Sequence, residues 1–388
     1  MIGIEKNWAA ERKKANCAIS FPTMTRAEDT SIGSEALQFS CGLSMKNRFM
    51  LAPMTNSQSH EDGTLSDDEF NWLTLRAKGG FGLTMTCASH VQKVGQGFVG
   101  QLGIFDDIHI DGHRRLAAAI KSEGSLAVVQ LHHAGMRAPA ELIGQKPVSA
   151  SDNEEGGARA LSVKEVYDLR DDFIRAAARA KSAGYDGVEI HGAHGYILTQ
   201  FMSEQYNRRE DEYGGSLTNR ARIIFEIARG IRQQCGEDFL LGVRLSPERF
   251  GLKLQEILML AQQIVDSQIF DFLDVSLWDS FKAPQEEEQK HISLLEHVTS
   301  LDMKDVKLTV AGKIGSSKQV QKILAAGVDF VAIGRAAILH HDYPKKVMAD
   351  AGFEPVPTPV SASYLVEQGL GPAFVEYMRR WKGFVSGE

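Results

Sequence analysis

The sequence is poor in cysteine and has no long apolar segment. Its cysteines are Cys17, Cys41, Cys87 and Cys235, four among 388 residues, and no two of them form a C-x-x-C pair. Such scattered cysteines provide neither a disulfide framework nor the ligand spacing of a zinc or iron–sulfur site, and they fit a reducing, cytoplasmic location. No apolar run approaches the ~20 residues that cross a bilayer. We therefore expect no metal centre and no membrane partner.

A surplus of positive charge is also missing. The formal net charge is -7 at pH 7, with 43% hydrophobic and 24% charged residues. This balance is typical of an ordinary globular protein and gives no electrostatic reason to expect nucleic acid as a partner. No G-x-G-x-x-G run follows the first predicted strand, which disfavours a dinucleotide-binding domain of the Rossmann type.

Short apolar runs alternate with segments of helical period along the chain. The predicted strands cover residues 48–52, 82–86, 126–130, 187–190, 240–244, 272–275, 308–310 and 330–333. The predicted helices cover residues 67–78, 110–122, 163–183, 218–235, 254–268, 291–301 and 318–326. Strands that alternate with helices indicate a parallel sheet, and strands apolar throughout are buried on both faces. We therefore predict an α/β fold, a closed (β/α)8 TIM barrel.

The barrel is expected to span residues 36–345. Residues 1–35 mix charged and small residues and are predicted to form a mobile N-terminal arm. Residues 346–388 form a C-terminal extension that could contact another subunit, which leaves a homo-oligomer open. Long connections at residues 137–162 and 201–216 follow the third and fourth strands, where the loops of a barrel build its active-site face.

The motif His191-x-x-His194-x-Tyr196 follows the fourth predicted strand directly. If the segment takes a helical turn, both histidines project to the same side and can donate hydrogen bonds to one acceptor atom. Tyr196 adds a phenolic proton with an ordinary pKa of about 10. The three residues suit a site that holds a carbonyl oxygen and delivers a proton. A metal site or two structural histidines are the alternatives, although no further ligand lies close in sequence.

Two glycine-containing strand ends predict an anion site. Gly312 and Lys313 follow the seventh strand, and Gly334 and Arg335 follow the eighth. Glycine lets backbone N–H groups approach an anion closely, and an arginine adds a charged fork. Phosphate sites recur at this place in barrels. The alternative is that both glycines only close tight turns.

Taken together, these motifs resemble the Old Yellow Enzyme family of FMN-dependent ene-reductases over roughly residues 35–345. The resemblance rests on Ala52-Pro53-Met54-Thr55, Val129-Gln130-Leu131, His191-x-x-His194-x-Tyr196, the stretch 207–220, Val243-Arg244, Gly312 and Gly334-Arg335. It implies FMN as cofactor and NADPH or NADH as reductant.

The resemblance also implies which residues bind the cofactor. Backbone groups of Pro53, Met54 and Cys87 would line the flavin ring, and Thr55 would bond its C4 carbonyl. Gln130 would pair with the pyrimidine edge, and Arg244 would stabilise the reduced ring near N1. The phosphate would be held by Gly312, Lys313, Gly334 and Arg335. From the residues alone, Arg244 could instead pair with a barrel carboxylate such as Glu189, and Gln130 could be a core amide.

The implied reaction is the reduction of activated C=C bonds, in enones and nitroalkenes, by NAD(P)H with ping-pong kinetics. His191 and His194 would hold the activating oxygen, and Tyr196 would protonate the α-carbon. Arg379 is a candidate to enter the substrate pocket of a neighbouring subunit. The alternatives are a flavin-free phosphate-binding barrel, an aldolase or isomerase with Lys313 as its amine, and a flavin-binding barrel without activity.

Overall fold

A computed structural model describes residues 31–387, so the predicted N-terminal arm lies outside the described residues except for 31–35. The strands are β1 (Leu37–Gln38), β2 (Ser44–Met45), β3 (Phe49–Leu51), β4 (Leu83–His90), β5 (Leu126–His132), β6 (Val148–Ser149), β7 (Arg159–Ala160), β8 (Gly187–Gly192), β9 (Leu240–Leu245), β10 (Phe272–Ser276), β11 (Lys307–Ala311) and β12 (Phe330–Ile333).

Eight of these strands close into a parallel barrel in the order β3-β4-β5-β8-β9-β10-β11-β12. The last strand pairs with the first, Ile333 against Leu51, and completes the ring. The eight predicted strands are confirmed as these eight, and the predicted (β/α)8 fold is confirmed with them. β4, β5 and β8 extend two to four residues beyond their predicted ends, because polar residues such as His90 and His132 continue the strand pairing.

The helices lie between and after the strands. They are α1 (Asp67–Lys78), α2 (Ile110–Ser122), α3 (Ala140–Ile143), α4 (Val163–Ser182), α5 (Ile197–Met202), α6 (Leu217–Cys235), α7 (Leu254–Asp266), α8 (Leu294–Thr299), α9 (Ser317–Ala325), α10 (Arg335–Leu339), α11 (Tyr343–Ala349), α12 (Ala362–Glu367) and α13 (Pro372–Arg379). Serine caps explain several starts. Ser162 accepts from the Glu165 N–H while the Glu165 side chain accepts from the Ser162 N–H, a capping box that begins α4.

Side chains alternate along each barrel strand between the interior and the surrounding helices. In β10, Phe272 belongs to the cluster inside the barrel, whereas Leu273 and Val275 belong to the cluster between strands and helices. The hairpin of β1 and β2 closes the amino end of the barrel, with the Phe39 ring 6.1 Å from Phe272 and 5.8 Å from Phe330. The carboxyl end, where the long loops lie, is thereby left for the functional site.

One G-x-G-x-x-G run does occur, at residues 95–100 after the second barrel strand. No helix begins at its end, since α2 starts only at Ile110. The run therefore lacks the strand–turn–helix context of a dinucleotide-binding motif.

The C-terminal segment packs on the barrel of its own chain. The Phe374 ring meets Trp72 of α1 edge to face, with centroids 4.8 Å apart. The Tyr364 hydroxyl donates to the Leu339 carbonyl at 2.7 Å. Within residues 31–387 no helix has the length and apolar character needed to cross a membrane. That part of the chain also contains no cluster of three or more histidine, cysteine or acidic residues suited to a metal ion.

Candidate active site

A cavity of about 630 Å³ opens at the carboxyl end of the barrel. One side is formed by strand ends, at residues 52–54, 311–316 and 334–336. The other side comes from the C-terminal segment, with residues 354–358, Trp381 and Phe384. Its volume lies within the range of about 300–1,000 Å³ typical of cofactor and ligand sites.

The predicted triad of His191, His194 and Tyr196 is brought together beside this cavity. The two histidine rings lie 5.1 Å apart, and the Tyr196 ring lies 5.1 Å from His191 and 6.5 Å from His194. His194 lines the cavity itself. His191 and Tyr196 are not among the described residues that line the cavity.

The helical turn that would place both histidines on one side does not form at the triad. His191 is the last residue but one of β8, and the chain then turns through left-handed backbone at His194 (φ 61) and Gly195 (φ 75) before α5 begins. The left-handed turn still brings the two imidazoles side by side. The Ala193 N–H donates to His191 Nδ1 at 3.2 Å, so the proton of a neutral His191 ring lies on Nε2.

Burial determines the charge of the triad. It lowers the pKa of His191 and of His194 well below the ordinary value, and nearby cations act in the same direction. Burial also raises the pKa of Tyr196, against the opposing effect of Arg137. At neutral pH the site therefore presents two uncharged imidazoles and a protonated phenol.

Three residues of this site escaped sequence reasoning. The His132 ring lies 4.4 Å from the Tyr196 ring, and the Arg137 guanidinium lies 4.9 Å from it and donates to the His194 carbonyl. Ser276 Oγ lies 2.8 Å from His194 Nε2. Strand alternation was a usable signal for His132, because it lies two residues after Gln130 and so faces the same side. Arg137 gave no such signal, since it lies in a single 3-10 turn, Gly135–Arg137, that follows β5.

Arg244 has a carboxylate partner, although not the one named as an alternative. Its Nε lies 3.0 Å from Asp274 Oδ2, while Glu189 accepts a hydrogen bond from Gln130 Nε2 at 2.7 Å. Arg244 lines the cavity, and its ion pair within the described residues is made through Nε, with no hydrogen bond from its two terminal nitrogens to those residues. The guanidinium can therefore serve a ligand with its outer edge.

The residues of the predicted anion site, Gly312, Lys313, Gly334 and Arg335, all line the same cavity. Arg335 is exposed and forms no ion pair within residues 31–387. Lys313 is less free, because its Nζ lies 3.0 Å from Asp279 Oδ2. A Cβ added to Gly334 would meet only the Met54 sulfur, at 3.5 Å, so the space beside this glycine is open.

Of the remaining predicted residues, two line the cavity and the others are not among its described lining residues. Pro53 and Met54 line the cavity, and Thr55 follows them. The Cys87 thiol lies against the buried Glu69 carboxyl of α1, and burial raises the pKa of that thiol well above its usual value. Arg379 is on α13, with Nε 3.5 Å from Glu376 Oε2, and is not among the described residues of the cavity wall.

Comparison with known proteins identifies the class of this site. Residues 37–353 match the NADH:flavin oxidoreductase / NADH oxidase family, and the chain belongs to that family. It is an NAD(P)H-dependent flavin oxidoreductase with FMN as its cofactor, related to the Old Yellow Enzymes. The flavin-free aldolase or isomerase and the inactive flavin-binding barrel are thereby set aside.

The chain is similar to named relatives over most of its length. It is 35% identical over 324 residues to a probable NADH-dependent flavin oxidoreductase, YqiG, of Bacillus subtilis, covering 81% of this chain and 87% of the relative. It is 33% identical to an NADH oxidase of Thermoanaerobacter brockii, over 78% of this chain but only 49% of that protein. The solved structure of an Old Yellow Enzyme homologue from Zymomonas mobilis superposes with a TM-score of 0.74, at 26% identity, covering 89% of this chain and 99% of the other.

The residues of the cavity fit FMN. The available volume, an arginine with a free outer edge at one part and an exposed arginine beside open glycine backbone at another suit a flat, polar molecule that ends in an anion. Arg244 would hold the ring, and Gly334 and Arg335 would hold the phosphate.

Proposed function

We propose that the protein reduces electron-poor C=C bonds, in enones and nitroalkenes, at the expense of NAD(P)H. The observation that carries the proposal is the pair of buried imidazoles, 5.1 Å apart, with the Tyr196 phenol beside them at the cavity. Such a set can bind an oxygen that gains negative charge and can supply one proton.

Bound FMN supplies the hydride chemistry. The chain's own residues then act on the alkene. The N–H groups of His191 and His194 donate to its carbonyl or nitro oxygen and stabilise the enolate-like charge that develops there. Both rings are uncharged, so they act as hydrogen-bond donors and keep their protons.

Tyr196 protonates the α-carbon of the alkene. Its hydroxyl is mostly shielded from water and its pKa is raised by burial, so the proton is present at neutral pH. Arg137, 4.9 Å from the ring, stabilises the phenolate that remains after transfer. A single cavity serves the reductant and the alkene in turn, from which we infer ping-pong kinetics.

Absorption spectroscopy of the bound flavin separates the two half-reactions. In Tyr196→Phe we expect the reoxidation of reduced enzyme by cyclohexenone to slow by about 10²–10⁴-fold, with reduction by NADPH nearly unchanged. Tyr167→Phe is the matched control, because Tyr167 is an exposed residue of α4 that bonds only Glu212. Equal slowing of both half-reactions in Tyr196→Phe would overturn the assignment of the proton donor.

The assembly and location are separate proposals. We infer a homo-oligomer in which Arg379 enters the substrate pocket of a neighbouring subunit, and a cytoplasmic location. The proposed oligomer is motivated by the family resemblance and by the exposed position of Arg379 near the C-terminus. A monomer in sedimentation velocity experiments would contradict the first proposal.

A further inference from the structure

Four polar side chains meet inside the barrel below the cavity. They come from neighbouring strands, with Gln130 on β5 beside Glu189 on β8, and Arg244 on β9 beside Asp274 on β10. Glu189 and Asp274 are both 0% exposed. Burial of two carboxyl groups inside a largely apolar barrel costs free energy, so their presence there indicates a functional role.

The contacts join the four side chains into one chain of interactions. Gln130 Nε2 donates to Glu189 Oε1 at 2.7 Å, and Arg244 Nε lies 3.0 Å from Asp274 Oδ2. The strand register places Glu189 level with Gly242 of β9 and Asp274 level with Arg244, two residues farther along the same face. Because Gly242 has no side chain between them, the two carboxyl groups lie close together inside the barrel, and each affects the pKa of the other. A hydrogen bond between two carboxyl groups requires a proton on one of them.

We propose that Glu189 and Asp274 share one proton and act as positioning residues for the FMN site. Through this pair they orient the Gln130 amide and the Arg244 guanidinium. The inference rests on the proposed placement of FMN against those two residues.

The charges locate the proton. Among the described residues, Glu189 Oε2 and both Asp274 carboxylate oxygens accept no hydrogen bond, and Arg244 is the one cation paired with them. A second negative charge would therefore be unsupported there. Arg244 contacts Asp274 and supports a carboxylate on it. Glu189 contacts the uncharged Gln130, and its pKa is raised well above the ordinary value by burial and by Asp274. The proton therefore lies on Glu189, and the Asp274 carboxylate balances Arg244.

This arrangement predicts opposite outcomes for two isosteric substitutions. In Glu189→Gln the amide can donate to Asp274 and accept from Gln130, as the protonated acid does, so the charge at the site does not change. In Asp274→Asn the negative charge is lost and Arg244 faces the cavity uncompensated. The reduced flavin ring carries an additional negative charge near N1, so it should then bind more tightly relative to the oxidised ring.

The experiment compares the holoenzymes of wild type, Glu189→Gln and Asp274→Asn. Infrared difference spectra should show a protonated carboxylic acid at neutral pH that is lost in Glu189→Gln. The ratio of the dissociation constants of oxidised and reduced FMN, from the flavin midpoint potential, should stay within about twofold in Glu189→Gln. In Asp274→Asn it should rise about tenfold or more. Thr309→Val is the control, because Thr309 pairs with Asp274 in the sheet and its hydroxyl has no partner among the described residues.

The outcomes are separable. No carboxylic acid band, or a shift in Glu189→Gln as large as that in Asp274→Asn, would overturn the shared proton. If the band is present but neither Asp274→Asn nor Arg244→Met alters the flavin potential, the positioning function is overturned, and with it the placement of FMN against Arg244. If Asp274→Asn slows alkene reduction but leaves the flavin midpoint potential unchanged, the inference is likewise contradicted.

Discussion

Lowering the pH from 7 to 5 should destabilise the folded protein strongly, because several neutral histidines are buried in it. Burial lowers the pKa of His90 and His113 to about 4 and that of His133 to about 3. In the unfolded chain a histidine has a pKa of about 6.5. Between these values the unfolded chain binds more protons than the folded one, so stability is full above pH 6.5 and falls as the pH decreases.

The magnitude follows from the two pKa values of each group. Each histidine costs roughly 2 kcal/mol of stability between pH 7 and pH 5, and the three together cost about 5–6 kcal/mol. That loss is comparable to the whole stability of a typical domain, about 5–15 kcal/mol. The protein should therefore be close to unfolding at pH 5.

Urea titrations at a fixed excess of FMN, from pH 5 to pH 7, measure this dependence. His113 lies between the Tyr185 hydroxyl and the Gly103 carbonyl, each 2.9 Å from a ring nitrogen. His113→Gln should reduce the loss between pH 7 and 5 by about 2 kcal/mol. His60→Gln, at an exposed position, should leave the loss as in wild type. An unaltered pH dependence in His113→Gln would refute the reasoning.

Two further substitutions test the geometry of the barrel interior and of the site. Ser276→Ala removes the hydroxyl 2.8 Å from His194 Nε2, a bond worth about 1 kcal/mol, and should slow alkene reduction roughly fivefold, with recovery in Ser276→Thr. A wild-type rate would show that the hydroxyl does not orient the ring. Gly242→Ala places a Cβ 2.0 Å from the Phe272 ring and should cost about 3 kcal/mol or more, measured by thermal unfolding. Phe272→Leu should relieve that cost in the double variant, and additive losses would contradict the clash.

The barrel was predictable from sequence because its strands are buried on both faces and so read as uninterrupted apolar runs. Phe330–Ile333 is an example, since every residue of β12 is apolar and buried. The short hairpin of β1 and β2 was missed, because two-residue strands such as Leu37–Gln38 carry no periodic pattern. The ends of β4, β5 and β8 were predicted too early, because polar residues such as His132 continue the strand pairing.

The grouping of His191, His194 and Tyr196 was predictable because three polar aromatic residues fall within six positions at the end of a predicted strand. Its surroundings were not found, because they come from other strands. Asp274 lies 30 residues after Arg244 in sequence but beside it in the sheet, and no local pattern marks the pair. The local conformation could not be predicted either, since the left-handed backbone at His194 is uncommon for a non-glycine residue.

The wall that the C-terminal segment adds to the cavity has a practical consequence. The family match ends at residue 353, whereas residues 354–358, Trp381 and Phe384 lie beyond it and line the cavity. An affinity tag fused after residue 388 would begin a few residues from Phe384, which lines the cavity. Such a tag could compete for the mouth of the site and distort binding assays, so kinetic work calls for a tag that is removed before measurement.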